Sequence, residues 1–386
     1  MKFADGKKVV IVQTVLSHYR LPFFDRLREW LACRNTTLEL LHGLDDPAEL
    51  GRGDSVTTEW ARVIETWPFR VGREEFIVQA IGPHLRGADL VIVPQENRLL
   101  HNYWLPFWSR LHGASFAFWG HGRNFQQRDG RTEHLRRLLI RLADWWFAYT
   151  ELSAEAVRAA GYPDRRITVV NNAIDTENLI AHCRSITPEE LIEARKRYGI
   201  RDSEKELGIF ISSLYPGKRI DFVLEAASKI REKNPQFGLL IAGDGPCREM
   251  VRTFCEKNPW ARWLGICRDR EKALCLRLSD AMLLPYSVGL SILDAFCAGL
   301  PLIAVENANH GPEIAYLTHE ENGLFTQASI EAYSGAVVDL LQDKAKQAVL
   351  RKNASSCADF YSLESMVERF GQGILQAMSQ SKKWNW

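Results

Sequence analysis

The sequence predicts an α/β protein made of two doubly wound, mostly parallel sheets. Three observations carry that expectation. Short β-rich runs alternate with amphipathic stretches along the chain, the signature of parallel strands covered on both faces by helices. The alternation pauses at a polar segment, residues 176–205, and then restarts. The length of 386 residues allows two or three domains at roughly 150 residues each.

The elements follow in order. Residues 9–12 read as a buried strand, and 21–31 as a helix with Phe24, Leu27 and Leu31 on one face. Further strands are expected at 38–41, 90–93, 115–119, 146–149 and 167–170, with helices at 104–111, 132–143 and 154–160. After the polar segment, strands are expected at 207–212, 238–242, 282–284 and 302–305. Helices are expected at 220–231, 247–255, 290–298 and 312–317. The last amphipathic stretch, 363–378, has no strand after it and could pack back across the first domain. The expected division is therefore 1–180, joined by about 363–386, and 181–362. Ligands of such sheets bind beyond the carboxyl ends of the strands, and two facing sheets would leave a cleft between them.

Composition removes several classes. Hydrophobic residues are 46% and charged residues 25%, ordinary for a globular chain. Lys+Arg is 49 against 48 Asp+Glu, a net charge of +1, which gives no global attraction to nucleic acid. No apolar run approaches the roughly 18 residues of a membrane span. The unbroken apolar stretch 9–12 is too short for a signal-peptide core, so a cytoplasmic location is expected. Eight cysteines occur without a Cys-x-x-Cys pair, and Cys247, Cys255, Cys267 and Cys275 lack a zinc-like spacing. They read as reduced, partly buried thiols.

The chemistry-bearing segments cluster in the second half. The turn Gly243-Asp244-Gly245-Pro246 closes a buried strand and opens a helix, and its glycines would let a ligand approach the backbone. A structural turn is the plainer reading of Asp244. Lys218 and Arg219 follow another strand. Adjacent cations there could grip a diphosphate, the lysine as a point charge and the arginine as a fork; a solvated helix start is the alternative. Next, 285–296 places a glycine loop before a helix starting near Gly289 and Leu290, whose free N–H groups would favour phosphate. Asp294 lies one turn in, among apolar neighbours, where a carboxylate can accept from a ribose diol. It could equally be a helix-dipole acid. Glu313, after Pro312, stands beside the same expected cleft or serves only as a first-turn acid.

In order along the chain, Lys218, the Gly243–Pro246 turn, the Gly289-Leu290…Asp294-Ala295 helix, Gly299-x-Pro301, Pro312-Glu313 and Asn322-Gly323 resemble the retaining glycosyltransferases of family 4, the glycosyl transferases group 1. The first half resembles them more loosely, through Tyr19-Arg20-x-x-Phe23-Phe24, Trp119-Gly120-His121-Gly122 and Asn171–Asp175. The resemblance implies a GT-B fold: two Rossmann-like domains facing a cleft, with the C-terminal helix packing back on the first. It implies a nucleotide-sugar donor held by Ser213, Lys218, Arg219, Gly243, Gly265, Ile266, Tyr286, Gly289, Leu290, Ser291, Asp294 and Glu313. Ser213 stands where the family has an arginine, with Arg219 as the candidate substitute. Tyr286 and Asp294 fall on the family's paired glutamates, so the first acid is replaced by tyrosine.

In the first domain, His121 sits between glycines after a strand, and the resemblance sets it, with Lys218 and Asp294, in a catalytic role. His18, Tyr19, Arg20 and Arg123 are expected on the acceptor side. Between Arg98 and Arg141 there are eight arginines and two acids, interleaved with Trp104, Phe107, Trp108, Phe116, Phe118 and Trp119. That mixture suits an anionic lipid surface, and peripheral association with the inner face of the plasma membrane is one expectation. A buried aromatic core beside a cationic helix is the other.

The expected reaction is transfer, with retention, of a sugar from a nucleoside diphosphate sugar to a saccharide or lipid-linked saccharide, as in bacterial surface-polysaccharide or glycolipid assembly. UDP-sugar is favoured over GDP-sugar. No Asp-x-Asp motif is present, no metal or other cofactor is expected, and lysine would meet the departing diphosphate. The alternatives are a sugar-nucleotide epimerase on the same fold and a degenerate sugar- or membrane-binding protein. A nicotinamide dehydrogenase is disfavoured, because the first strand-turn lacks Gly-x-Gly-x-x-Gly.

Overall fold

The computed structural model describes residues 6–44, 55–72, 74–122 and 140–380. By packing, the chain forms two compact units: the residues up to Ile174 with the helix beginning at Leu363, and Asp175–Ser362. Each is described separately.

The first unit is built on β1 (Lys7–Val15), α1 (Leu21–Ala32), β2 (Thr36–Gly43), β3 (Arg62–Val63), β4 (Thr66–Val71), β5 (Glu74–Gln79), β6 (Leu90–Pro94), α2 (His101–His112), β7 (Ser115–Gly120), β8 (Trp145–Ala148), α3 (Glu151–Ala159) and β9 (Ile167–Val169). Seven strands order as β3-β2-β1-β6-β7-β8-β9, all parallel. The central run Val9–Val12 is wholly buried, which explains its unbroken apolar sequence. β4 and β5 form a separate antiparallel hairpin whose Trp67, Phe69 and Val71 stay exposed.

The second unit runs α4 (Glu177–Ser185), α5 (Pro188–Arg197), β10 (Glu206–Ile211), α6 (Ile220–Lys233), β11 (Phe237–Ala242), α7 (Arg248–Lys257), β12 (Ala261–Gly265), α8 (Asp269–Leu278), β13 (Ala281–Leu283), α9 (Ser291–Cys297), β14 (Leu302–Val305), β15 (Gly323–Thr326), α10 (Ile330–Gln342) and α11 (Lys344–Phe360). Its six strands order as β12-β11-β10-β13-β14-β15, again all parallel. The winding reverses between β10 and β13, the topological switch point where such sheets open a crevice at their carboxyl ends.

The final helix, α12 (Leu363–Gln380), belongs to the first unit. Phe370 stacks on Phe147 at 4.3 Å between centroids and meets Phe23 and Trp119 at 5.3 and 5.0 Å. Burying each such ring stabilises the unit by roughly 2 kcal/mol. Gly371 is needed here, because a Cβ would strike the Trp30 indole.

Several expectations are corrected. The polar segment 176–205 is not a bare separator: it folds into α4 and α5, the latter opened by a capping box between Thr187 and Glu190. The stretch after Gly311 is a 3-10 turn, Pro312–Tyr316, rather than an α-helix. The helix expected at 290–298 is shorter, seven residues from Ser291, with Leu290 as its N-cap. Phe116, Phe118 and Trp119 are core residues and present nothing to a membrane, whereas Trp104 and Phe107 are 40% and 58% exposed. Most of the expected helix 132–143, with Arg123 and Arg128–Arg137, lies outside the described residues. All eight cysteines are free thiols.

Candidate functional sites in the two units

In the second unit a cavity of about 310 Å³ opens at the carboxyl ends of β10 and β11, lined by Ser213, Gly243, Asp244, Ile266, Lys272, Ser291 and Asp294 among others. Gly243 is required by geometry: its φ is +142°, and a Cβ there would collide with the Ser212 carbonyl oxygen. The backbone can therefore reach the cavity with nothing in front of it. Asp294 is buried, 7% exposed, on the first turn of α9. Its carboxylate lies 2.6 Å from the Lys272 ammonium on α8. A buried carboxylate needs such a partner. Lys272 was not among the expected residues, because nothing in the run Asp269–Leu278 marks one basic residue above its neighbours.

A second cluster lies on the loops after β10, β13 and β14. Lys218 Nζ donates to the Ser287 carbonyl at 2.5 Å. Burial lowers its pKa from 10.5 to about 8, and the nearby Glu313 carboxylate opposes that shift. Glu313 is itself buried, packed so close under Gly311 that a Cβ there would sit 2.9 Å from its oxygen. His310, also absent from the expected set, ties the loops together. Val288 N–H donates to its Nδ1 at 3.1 Å, and its Nε2 donates to the Val305 carbonyl at 2.8 Å. Burial, chiefly, and the Lys218 charge lower its pKa, so the ring is neutral and fixed in one tautomer.

Thus Ser213, Gly243, Ile266, Ser291 and Asp294 come together around the cavity. Lys218, Glu313 and Gly289 group separately around Ser287. Two expected residues are engaged elsewhere. Arg219, in a left-handed backbone conformation, grips Asp221 in a two-pronged pair at 2.9–3.1 Å. Tyr286 packs edge-on against Phe222 at 5.3 Å and beneath the Arg219 guanidinium. Neither lines the cavity. Gly265 ends β12 at φ +68° and accepts from the Gly243 N–H at 2.7 Å, which shapes the turn. Among the described residues, no group of three or more His, Cys, Asp or Glu is placed to hold a metal ion.

The first unit has its own, smaller cavity of about 150 Å³, lined by Gln13, Thr14, Ser17, Tyr19, Arg20, Glu96, Arg98, Trp119 and Tyr149 among others. Arg20 is 7% exposed. Its Nη1 donates to Asn172 Oδ1 at 2.5 Å, and its guanidinium lies 5.2–5.6 Å from the Tyr19, Trp119 and Tyr149 rings. His121, at the end of β7, meets Tyr149 edge-on at 4.4 Å. Desolvation first, and then the Arg20 charge, lower its pKa to about 4; the residue still keeps an exposed face. At neutral pH it is therefore an uncharged hydrogen-bonding group. His18 is exposed beside Tyr19. Arg123 lies outside the described residues.

Comparison with known proteins supplies the context. Residues 192–357 match the family described as glycosyl transferases group 1. EpsD of Bacillus subtilis (strain 168) is 26% identical over 214 residues, covering 52% of this chain and 54% of EpsD. The chain thus spans about half the length of the curated relatives it matches. The GDP-mannose-dependent alpha-(1-6)-phosphatidylinositol monomannoside mannosyltransferase of Mycobacterium tuberculosis is 29% identical over 171 residues, 41% of this chain and 43% of that protein. Among solved structures, HepE of Anabaena, crystallised with UDP, superposes with a TM-score of 0.67 at 16% identity, covering 96% of this chain and 99% of that one. The fold of both units is that of the GT-B proteins.

Proposed function

Starting from the membership of residues 192–357 in the glycosyl transferases group 1, we propose that the protein is a retaining, metal-independent glycosyltransferase that takes its sugar from a nucleoside diphosphate donor. One observation carries the reading. The 310 Å³ cavity at the switch point combines an open glycine backbone at Gly243 with a buried carboxylate at Asp294. Asp294 accepts from the ribose hydroxyls. Lys272 holds that carboxylate in place and brings a cation into the cavity where Ser213 leaves the arginine position empty of charge. Lys218, beside the same helix start, meets the diphosphate as negative charge develops on it. The leaving diphosphate takes the acceptor proton, so no protein base is assigned. Neutral His121 contacts the donor sugar or the acceptor hydroxyl as a hydrogen-bonding group. Uridine is favoured as the base, since HepE was crystallised with UDP; the mannosyltransferase relative keeps guanosine in contention.

The acceptor is a saccharide or lipid-linked saccharide, brought to the first unit. Trp104, Phe107 and Leu111 are exposed on α2 at helical spacing beside Arg110, a face that suits a peripheral membrane contact. No described helix is long and apolar enough to cross a membrane. The deciding experiment is a thermal-shift panel of nucleotide sugars, because a bound donor raises stability by mass action. UDP- or GDP-sugars should stabilise the protein saturably, and Asp294→Asn should abolish the shift. A panel with no response, or an unaffected variant, would refute the site. Release of free nucleotide without any acceptor, together with an epimerised sugar, would favour the epimerase instead.

A further inference from the structure

The cavity of the first unit carries a charge that no described carboxylate neutralises. Arg20 is buried, and its partners are an amide oxygen and three aromatic faces. Among the described residues no carboxylate pairs with it. Glu96 lines the same cavity, but its carboxylate is taken by Arg98 Nε at 2.7 Å. Burying an unpaired cation is costly, and ring faces offset only part of that cost. The field of Arg20 also reaches His121. A second group points the same way. Thr14 is 7% exposed and lines the cavity, and its Oγ1 has no hydrogen-bond partner. A buried hydroxyl left unsatisfied calls for an explanation, an absent ligand among them.

From these residues we infer that the first-unit cavity takes an oxyanion carried by the acceptor, a phosphoryl or carboxylate group. The inference rests on the acceptor-side reading of this unit. Arginine offers five donors in a planar fork, of which one is used by Asn172. The others suit two oxygens of one anion, and the Thr14 hydroxyl can donate to a third or to one of the same two. The size agrees. At 150 Å³ the cavity is half the volume of the one on the second unit, with room for an anionic group and its attachment. The acceptor is therefore an acidic saccharide or a sugar phosphate rather than a neutral glycan.

Calorimetry on the full chain tests this with inorganic phosphate, glucuronate and glucose at matched ionic strength. Phosphate or glucuronate should bind saturably and glucose should not. Tighter phosphate assigns a phosphoryl acceptor, and tighter glucuronate a uronate. Arg20→Gln should weaken the anion more than tenfold, and Thr14→Val, a near-isosteric change that leaves no partner stranded, about tenfold. UDP and GDP titrated into the same variants should bind as in the wild type. If neither anion binds, or if both variants bind it as the wild type does, the assignment falls. Should Arg20→Gln fail to fold, Thr14→Val decides alone. Anion binding in a wild type that binds no nucleotide would sink the transferase reading and with it the assignment to an acceptor, leaving the first-unit cavity as an oxyanion site alone.

Discussion

In the second unit buried charge meets opposite charge: Asp294, on the cavity, lies 2.6 Å from Lys272, and on the neighbouring loops Lys218 sits in the field of Glu313. Around the cavity of the first, Arg20 meets an amide and three rings. Paired charges already have part of their field neutralised, so a ligand gains there from shape, from backbone approach and from hydrogen bonds still open at the Asp294 carboxylate. An unpaired charge gains most from an ion. On the proposed reading one unit would select by fit and the other by charge, and four measurements can break or sharpen that contrast.

The largest effect is expected at Gly243. Its alanine variant places a methyl against the Ser212 carbonyl at a φ of +142°, a conformation that L-residues resist. We expect about 3 kcal/mol of lost stability, read by chemical denaturation, and no nucleotide binding. A stable, nucleotide-binding variant would show that the turn can move and that fit matters less than supposed.

Lys218→Ala should weaken a nucleoside diphosphate by about 2 kcal/mol, the scale of a hydrogen bond to a charged group, while changing a nucleoside little. Equal losses for both ligands would remove Lys218 from the diphosphate.

The pH dependence of donor affinity is the third. The Lys218 pKa is lowered from 10.5 to about 8 by burial, so the free protein loses this cation as pH rises through 8. Donor binding should fall there, and Lys218→Arg, which stays charged, should flatten the profile. The stability term has the opposite sign. Between pH 8 and 10.5 the unfolded chain binds the extra proton, so this group's contribution to stability rises with pH across that window.

The smallest effect belongs to Arg219. It is exposed and already held by Asp221, and such surface pairs contribute roughly 0.2–1 kcal/mol. Arg219→Ala should change nucleotide affinity less than threefold. A tenfold loss would restore it as the stand-in for the arginine that Ser213 replaces.

The same contrast explains what was legible in the sequence. Buried parallel strands announce themselves as apolar runs, and β1, β7, β11 and β14 lie where those runs are. The glycine turns and Asp294 were legible because backbone constraint and burial leave few residue choices. Lys272 was not, since its role depends on how α8 lies against α9, a tertiary fact. β12 and β15 were unread because Arg262 interrupts one, and in the other only Leu324 and Phe325 form an apolar run, between Gly323 and Thr326. The capping box at Thr187 was present in the sequence, but α5 buries little beyond Ala194, so no apolar stripe drew attention to it. The environment of Arg20 was invisible for a further reason: its cage is drawn from Tyr19, Trp119, Tyr149 and Asn172, four residues separated by up to 153 positions.

The return of α12 to the first unit has a consequence for biosynthesis. The aromatic nest of Phe23, Trp119 and Phe147 receives its lid, Phe370, only after the chain has been made past residue 370, more than two hundred positions beyond Phe147. Until then the nascent N-terminal half keeps those rings uncovered on one side. A stop codon just before Leu363 would therefore yield an intact second unit fused to a half that clumps.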